Sequence, residues 1–440
     1  MNRTYPLILT LLLLLSLAGC GDSSAPAGAG LEAQRAWVRA HLDDVYLWRG
    51  EIVDVPSANY ASAPDYFDAL LVTAKDRFSF SMPKAVADSE LRDGQQTGFG
   101  VKWGWGASGR LFAYYVDPYS PAAGMISRGT EVISINGWPV AQLASSSLNA
   151  ALFPGKAGAS TSMVIRSPGT SVNRPATLVS ANFSTTPVAQ PLLIGLAQGK
   201  KAGYLLFNDH ILTAEQGLVN AMTYFKQQGV SEVVLDLRYN SGGFLYIAEE
   251  VASMLGGAAL QGQVFERLLF NDRHPERTND PQNTVLFSPL DQNGATLPQL
   301  GLRRVFVITG SNTCSASESI INGLLPYLPV IRIGTTTCGK PYGSVQTDYE
   351  GQAYFALQVE GVNANGLDDY KTGFLPTCQV ADDLKYPLGD IREARLSAAI
   401  YYMNNTACPA AGTVSLPKAV ATDQGDVQLI GPKPPLKIVQ

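Results

Sequence analysis

Two apolar runs leave this chain few architectures. Val233 to Leu237 is apolar at every position except Asp236, and Val305 to Ile308 is apolar throughout. A strand that is apolar on both faces must be covered on both, which is the condition of a parallel sheet inside an α/β layer. Each run passes through glycine into a helical pattern: Gly242-Gly243 opens a helix predicted over Phe244 to Leu255, and Gly310 leads to one entered at Ser315. A strand at Gly203 to Phe207 and a helix at Thr213 to Gln227, capped by Thr213, come first. The order strand, helix, strand, helix predicts a largely parallel sheet between helices. Val330 to Ile333 adds a strand, Gln352 to Val359 closes the layer, and Ile391 to Tyr402 is the last helix.

The remainder divides by pattern. Leu31 to Trp48 and Pro64 to Lys75 have helical periodicity, with Trp37, Val38, Leu42, Tyr66, Phe67 and Leu70 apolar. Short strand-like segments follow at Gly98–Trp105, Leu111–Val116, Glu131–Ile135 and Ser162–Ile165, broken by Ser120-Pro121 and the turn Asn136-Gly137. They predict a small β-rich barrel. Beyond Cys408 no periodicity continues, and a loosely ordered tail is expected. A chain of 440 residues exceeds one ordinary core, its apolar fraction of 46% is ample for folding, and a net charge of -5 gives no reason to expect a nucleic-acid partner.

The chemistry concentrates between Cys314 and Gln346. Ser315 stands at a helix entrance, where unpaired backbone N–H groups stabilise developing negative charge. Lys340 follows the next strand in a glycine-flanked turn, and no carboxylate lies between Pro326 and Gln346. A serine nucleophile needs an adjacent base, and a lysine serves as one when burial favours its neutral form. Read blandly, Ser315 is a helix cap and Lys340 a solvated turn residue. Only His41, His210 and His274 compete as bases, and His210, beside Asp209, is the one serious rival. Ser81-Met82-Pro83-Lys84 matches S-x-x-K formally, but Pro83 disrupts the helical turn that motif requires. Gly242-Gly243 is no phosphate loop, since no Gly-Lys-Ser or Gly-Lys-Thr follows.

Ser315-Ala316-Ser317-Glu318, with Lys340 25 positions beyond Ser315, resembles the active-site pattern of the C-terminal processing peptidases of family S41. Asp236-Leu237-Arg238-Tyr239-Asn240-Ser241-Gly242-Gly243 resembles that family's D-L-R-x-N-x-G-G loop, and Val45–Trp48 with Lys75–Ser79 its helical N-terminal region. The resemblance implies Ser315 as nucleophile and Lys340 as general base of a serine endopeptidase. It implies an oxyanion hole from the N–H of Ala316 and of Gly242 or Gly243, one such donor being worth about 3 kcal/mol. The family's lysine-orienting glutamine lies four residues after the lysine; here the candidate is Gln346, six residues on, past Pro341-Tyr342. Asp236 and Arg238 are expected to shape the loop as an ion pair. Glu318 is expected to cap free N–H groups or face that arginine. No metal or organic cofactor is required.

The segment Val116, Ser120-Pro121-Ala122, Gly129 to Gly137 is similar to a PDZ domain, which binds an extended peptide at a sheet edge. Gly98-Phe99-Gly100-Val101 is then the candidate carboxylate loop, with Phe99 and Val101 lining the groove; the alternative is a rigid spacer or lid. At the start, Arg3, the apolar run Leu7 to Leu17 and Leu17-Ala18-Gly19-Cys20 resemble a bacterial lipoprotein signal, with Cys20 lipidated. Gly21 after the cysteine favours the outer membrane, facing the periplasm.

The expected fold is thus a multidomain α/β protein: signal 1–20, tether 21–30, helical N-terminal domain 31–93, inserted PDZ-like domain 94–190, S41-type (ClpP/crotonase-like) catalytic core 200–408 and tail 409–440. Partners are polypeptides with flexible tails and, through Cys20, a membrane. The rival is an inactive PDZ-containing envelope lipoprotein that only binds peptides. Cys314, Cys338, Cys378 and Cys408 remain, and four cysteines allow three pairings. If Ser315 and Lys340 meet, Cys314 and Cys338 must be neighbours, leaving Cys378 and Cys408 to staple the last helix.

Overall fold

The central sheet has six strands in the order Leu192–Gly195, Lys201–Leu206, Glu232–Asp236, Val305–Thr309, Val330–Gly334 and Cys378–Gln379. The first pair is antiparallel and every other pair parallel. This computed structural model describes residues 30–367, 369–410, 428–431 and 436–439. The apolar run at Leu7–Leu17 and Cys20 lie outside the described residues, among which no helix is long and apolar enough to cross a membrane.

Strand alternation explains the unbroken apolar runs. Leu205, Val233, Leu235, Val305 and Val307 face one core, shared with the helices Glu215–Gln228, Leu245–Gly256 and Ala316–Leu324. Tyr204, Val234, Phe306, Ile308 and Ile333 face the other, beneath the helix Ala394–Asn405. Helix boundaries differ from expectation where tertiary contacts intervene. The second N-terminal helix ends at Leu70, not Lys75, because Leu71 is extended and the Val72 N–H is taken by Tyr46 Oη at 3.1 Å. Thr213 does not cap; it lies in a 3-10 turn, and the helix starts at Glu215.

The N-terminal helices Leu31–Val45 and Ala63–Leu70 form their own core, which takes in Cys314, Tyr354 and Leu357. Ser81 lies in a strand, Phe80–Pro83, paired with Gln352–Phe355, and not one helical turn from Lys84. The β-rich region builds a seven-stranded sheet around Trp103, Leu111, Val132, Ile165 and Leu178. Two strands there, Asn173–Val179 and the edge strand Gln428–Ile430, fall where the sequence offers weak or no periodicity. A further short strand, Leu436–Ile438, pairs with Gly242–Phe244. The expected loose tail is therefore structured at these two places, by pairing with distant strands.

Arg238 joins the layers. It is fully buried, bonds Asp236 at 2.8 Å and Asp382 at 2.9 Å, and grips both oxygens of Glu393 at 2.8 and 2.9 Å. Arg128, from the β-rich region, reaches Asp382 at 2.7 Å. One buried ionic chain thus runs from the central sheet to the neighbouring domain, and removing one partner of such a pair costs about 3–5 kcal/mol.

Glu249 and Glu250 are buried on the Leu245–Gly256 helix. Desolvation pushes their carboxyls up, to about 7 for Glu249 and about 8 for Glu250, the latter also through the charges of Glu215 and Glu249. A carboxyl whose folded pKa lies above its unfolded value stabilises the fold while protonated. That contribution is complete below about pH 4 and is lost as pH rises through about 7 to 8. The unfolding temperature should therefore fall between about pH 5 and pH 8, and Glu250→Gln should flatten the slope in a thermal-melt series. An unchanged slope would contradict this assignment.

Candidate active site

The strand Val305–Thr309 runs through a short turn into the helix Ala316–Leu324. At the junction Ser315 has φ 61° and ψ −118°, left-handed backbone that costs a non-glycine residue about 1–3 kcal/mol. Neighbours hold it there. Thr313 Oγ1 accepts from Gly310 N at 2.9 Å and donates to Leu237 O at 2.8 Å. Cys314 N and Ser317 Oγ both donate to Asn240 O, each at 3.1 Å. The turn carrying Ser315 is stitched to the Asp236–Gly243 loop. A glycine would fit this backbone without strain; a serine supplies a hydroxyl.

Glu318 organises what surrounds that hydroxyl. Its buried carboxylate accepts from Ser315 N at 2.9 Å and Lys340 N at 2.8 Å through one oxygen. Through the other it accepts from Gly339 N at 2.8 Å and Thr337 Oγ1 at 2.5 Å. Burial pushes the Glu318 carboxyl up, and these donors, Thr337 first, pull it back down. The backbones of Ser315 and Lys340 therefore flank a single oxygen atom. The disulfide Cys314–Cys338, with a Cα separation of 5.1 Å, closes the same junction covalently. Ser315 and Glu318 take the positions of a capping box, yet Ser315 Oγ is buried and makes no close hydrogen bond among the described residues. Glu318 does not face Arg238.

Lys340 is fully buried, with Nζ 5.1 Å from the centre of the Phe78 ring. Phe78 is set by Asp76, whose Oδ1 accepts from Phe78 N at 2.8 Å and Ser79 N at 2.9 Å while Oδ2 takes Tyr46 Oη at 2.8 Å. The N-terminal domain thus supplies one wall of the lysine's pocket.

Gly242 and Gly243 have φ of 99° and 140°. A Cβ on Gly243 would sit 2.2 Å from His210 O, so only glycine fits. Asn240 Nδ2 donates to Phe207 O at 2.9 Å, which leaves Oδ1 to accept from Gly242 N at 2.9 Å and from His210 Nδ1 at 3.0 Å. Desolvation pushes His210 down to about 3, so the ring is neutral. It serves the loop through Asn240 and makes no hydrogen bond to Ser315 Oγ.

Two sequence expectations differ from what the structure shows. Gln346 donates to Asp348 Oδ1 at 2.9 Å, because Tyr342–Gly343 pairs with Val359–Glu360 and the extended chain carries Gln346 past the lysine. Phe99 and Val101 are buried with Trp103 and Leu111 and so form core, not an open groove wall. Gly100 (φ 72°) is glycine because a Cβ would meet Ser120 Cβ at 2.0 Å. Cys378 pairs with Cys408, as expected. Cys314, Glu318 and Cys338 approach closely enough to suggest a metal site, but both sulfurs are in a disulfide. The sequence reading gave no role to Asn240, Thr337 or Phe78. The asparagine between arginine and paired glycines was the one available signal.

The multidomain α/β protein, with its PDZ-like domain, thus places Ser315 on strained backbone at a strand–helix junction and holds the Lys340 main chain on the same Glu318 oxygen. Residues 201–380 match the model of peptidase family S41, and residues 33–80 that of the peptidase S41 N-terminal domain. These two stretches are those of peptidase family S41. It is 28% identical over 340 residues to the carboxy-terminal processing protease CtpB of Bacillus subtilis, covering 73% of this chain and 64% of that one. Against the carboxyl-terminal-processing protease of Picosynechococcus it is 26% identical over 234 residues, covering 53% and 51%. The chain thus spans between about half and under two thirds of these relatives' lengths. The crystal structure of a candidate S41 protease from Bacteroides fragilis superposes with a TM-score of 0.67 at 26% identity, over 83% of this chain and 96% of that one. The photosystem II D1 C-terminal processing protease, at 19% identity and a TM-score of 0.51 over 80% and 93%, shares the fold.

Glu318→Ala should leave the N–H groups of Ser315, Gly339 and Lys340 unpaired in the interior, at a cost of about 3 kcal/mol or more. Glu318→Gln, which keeps one acceptor oxygen, should fall between it and wild type in urea denaturation. A loss below about 0.5 kcal/mol for the alanine variant would contradict the role given to this carboxylate.

Proposed function

We propose that this protein is a serine endopeptidase that cleaves exported polypeptides near flexible C-terminal tails, using Ser315 as nucleophile and Lys340 as general base. The observation that carries the reading is the buried, unpartnered Ser315 hydroxyl on strained backbone, with the Lys340 main chain held on the same Glu318 oxygen. The family's S-A-S-E and lysine pattern and the names of its relatives agree with it.

In this mechanism neutral Lys340 takes the proton from Ser315 Oγ as the oxygen attacks a peptide carbonyl. The oxyanion forms opposite the N–H groups of Ala316 and Gly243; Gly242 N–H is already donated to Asn240 Oδ1. Lys340 returns the proton to the leaving amine, and water hydrolyses the acyl-enzyme. A buried amine is disfavoured in its charged form, which suits the base. In the same reading Cys20 carries lipid and anchors the chain at the outer membrane. The PDZ-like domain spans about 94–190, and the ClpP/crotonase-like core about 200–408.

A disordered protein with an apolar C-terminus tests the reading. Ser315→Ala and Lys340→Met should each lower kcat/KM by about a thousandfold or more, with unfolding temperatures near wild type. The pH limb of kcat/KM, expected near about 7 to 8 for a matched base, should survive His210→Gln. Cleavage that persists in Ser315→Ala, or a limb abolished by His210→Gln, would overturn the assignment.

A further inference from the structure

The segment after residue 427 has no local reason to form strands, yet it makes two. Gly431, Pro432, Pro434 and Pro435 separate them in the sequence. The first, Gln428–Ile430, adds antiparallel to the exposed edge of the PDZ-like sheet, with Gln428 opposite Trp105 and Ile430 opposite Trp103. Leu429 packs with Phe112, Tyr114 and Tyr239. The second, Leu436–Ile438, runs parallel to the oxyanion loop, with Leu436 opposite Gly242, Lys437 opposite Gly243 and Ile438 opposite Phe244. Its other edge is also occupied: Ile438 bridges Ser344, and Val439 N donates to Ser344 O at 2.9 Å. Ser344 lies four residues beyond Lys340. Ile438 and Val439 are 3% and 7% exposed and belong to the same core as Phe244, Ala316 and Ile320.

A backbone bridging the paired-glycine loop and the strand that follows Lys340 lies where a polypeptide substrate would have to lie to offer a carbonyl to Ser315. Strand addition of this kind uses main-chain hydrogen bonds for affinity and side-chain pockets for selectivity. We propose that the two edges, Val101–Trp105 and Gly242–Phe244, form one track for an extended polypeptide, and that the strands Gln428–Ile430 and Leu436–Ile438 are its internal occupants, holding the site closed until a substrate displaces them. The track selects a chain with two aliphatic residues at the PDZ-like edge, a proline-containing spacer of about seven residues and an aliphatic pair at the oxyanion loop, copying Leu429-Ile430 and Ile438-Val439. A tethered occupant acts at an effective concentration in the millimolar range, so it raises KM and leaves kcat largely alone. The regulatory part of this proposal rests on the peptidase reading above; the docking part does not.

The test uses the full chain carrying Ile438→Asp and, as a second variant, the chain shortened to end at residue 427. Both should show kcat/KM raised about tenfold or more, through KM, against the intact chain. A synthetic peptide of residues 428–440 added to the shortened chain should restore the higher KM without changing kcat. If either variant melts like wild type and its kcat/KM is unchanged or lower, the inhibitory role falls. The docking role is read without turnover, from fluorescence anisotropy of the labelled peptide on the Ser315→Ala form of both chains. Binding to the shortened chain and not to the intact one supports the track even if no cleavage is ever seen, in which case the peptidase reading alone fails. Absence of binding to the shortened chain overturns the track.

Discussion

Everything at the centre of this molecule is referred to one buried carboxylate. Glu318 takes four donors from two loops that are distant in sequence, and two of them are the main-chain nitrogens of Ser315 and Lys340. Without an acceptor there, the helix entrance and the lysine turn would each bury unsatisfied N–H groups. The strained backbone of Ser315 persists because Thr313, Asn240, Glu318 and the Cys314–Cys338 disulfide all hold it from outside.

The second constraint is a relay of buried polar groups that fixes the Asp236–Gly243 loop. Asp236, Arg238, Asp382 and Glu393 set its stem, and Asn240 with neutral His210 sets its tip. Arg128 connects the stem to the PDZ-like domain, and Leu429 packs on Tyr239 in the same loop. The PDZ-like domain is thus in contact with the paired-glycine loop. The N-terminal helices act from the other side, through Asp76 and the Phe78 ring beneath Lys340.

The catalytic layer was legible because strands covered on both faces leave unbroken apolar runs, and those at Val233 and Val305 led directly to the two loops of the site. Ser315 and Lys340 were legible from residue chemistry and a family pattern. Gln346 was not, because sequence spacing does not reveal that Tyr342–Gly343 is extended and paired. Phe99 and Val101 were misplaced because burial at a strand edge depends on which face the sheet turns inward. The strands at 428–430 and 436–438 carry no periodic signal at all; they exist by pairing with Val101–Trp105 and Gly242–Phe244. Glu318 was readable as a helix cap, but its reach to Thr337, Gly339 and Lys340 is purely tertiary.

The central claim, that one carboxylate assembles a reactive serine and its lysine, is tested most directly by a small fluorophosphonate probe and peptide mapping by mass spectrometry. The account predicts a single adduct on Ser315, absent in Lys340→Met and formed at least about tenfold more slowly in Glu318→Gln. An adduct on another residue, or labelling of Ser315 at the wild-type rate in both variants, would contradict it.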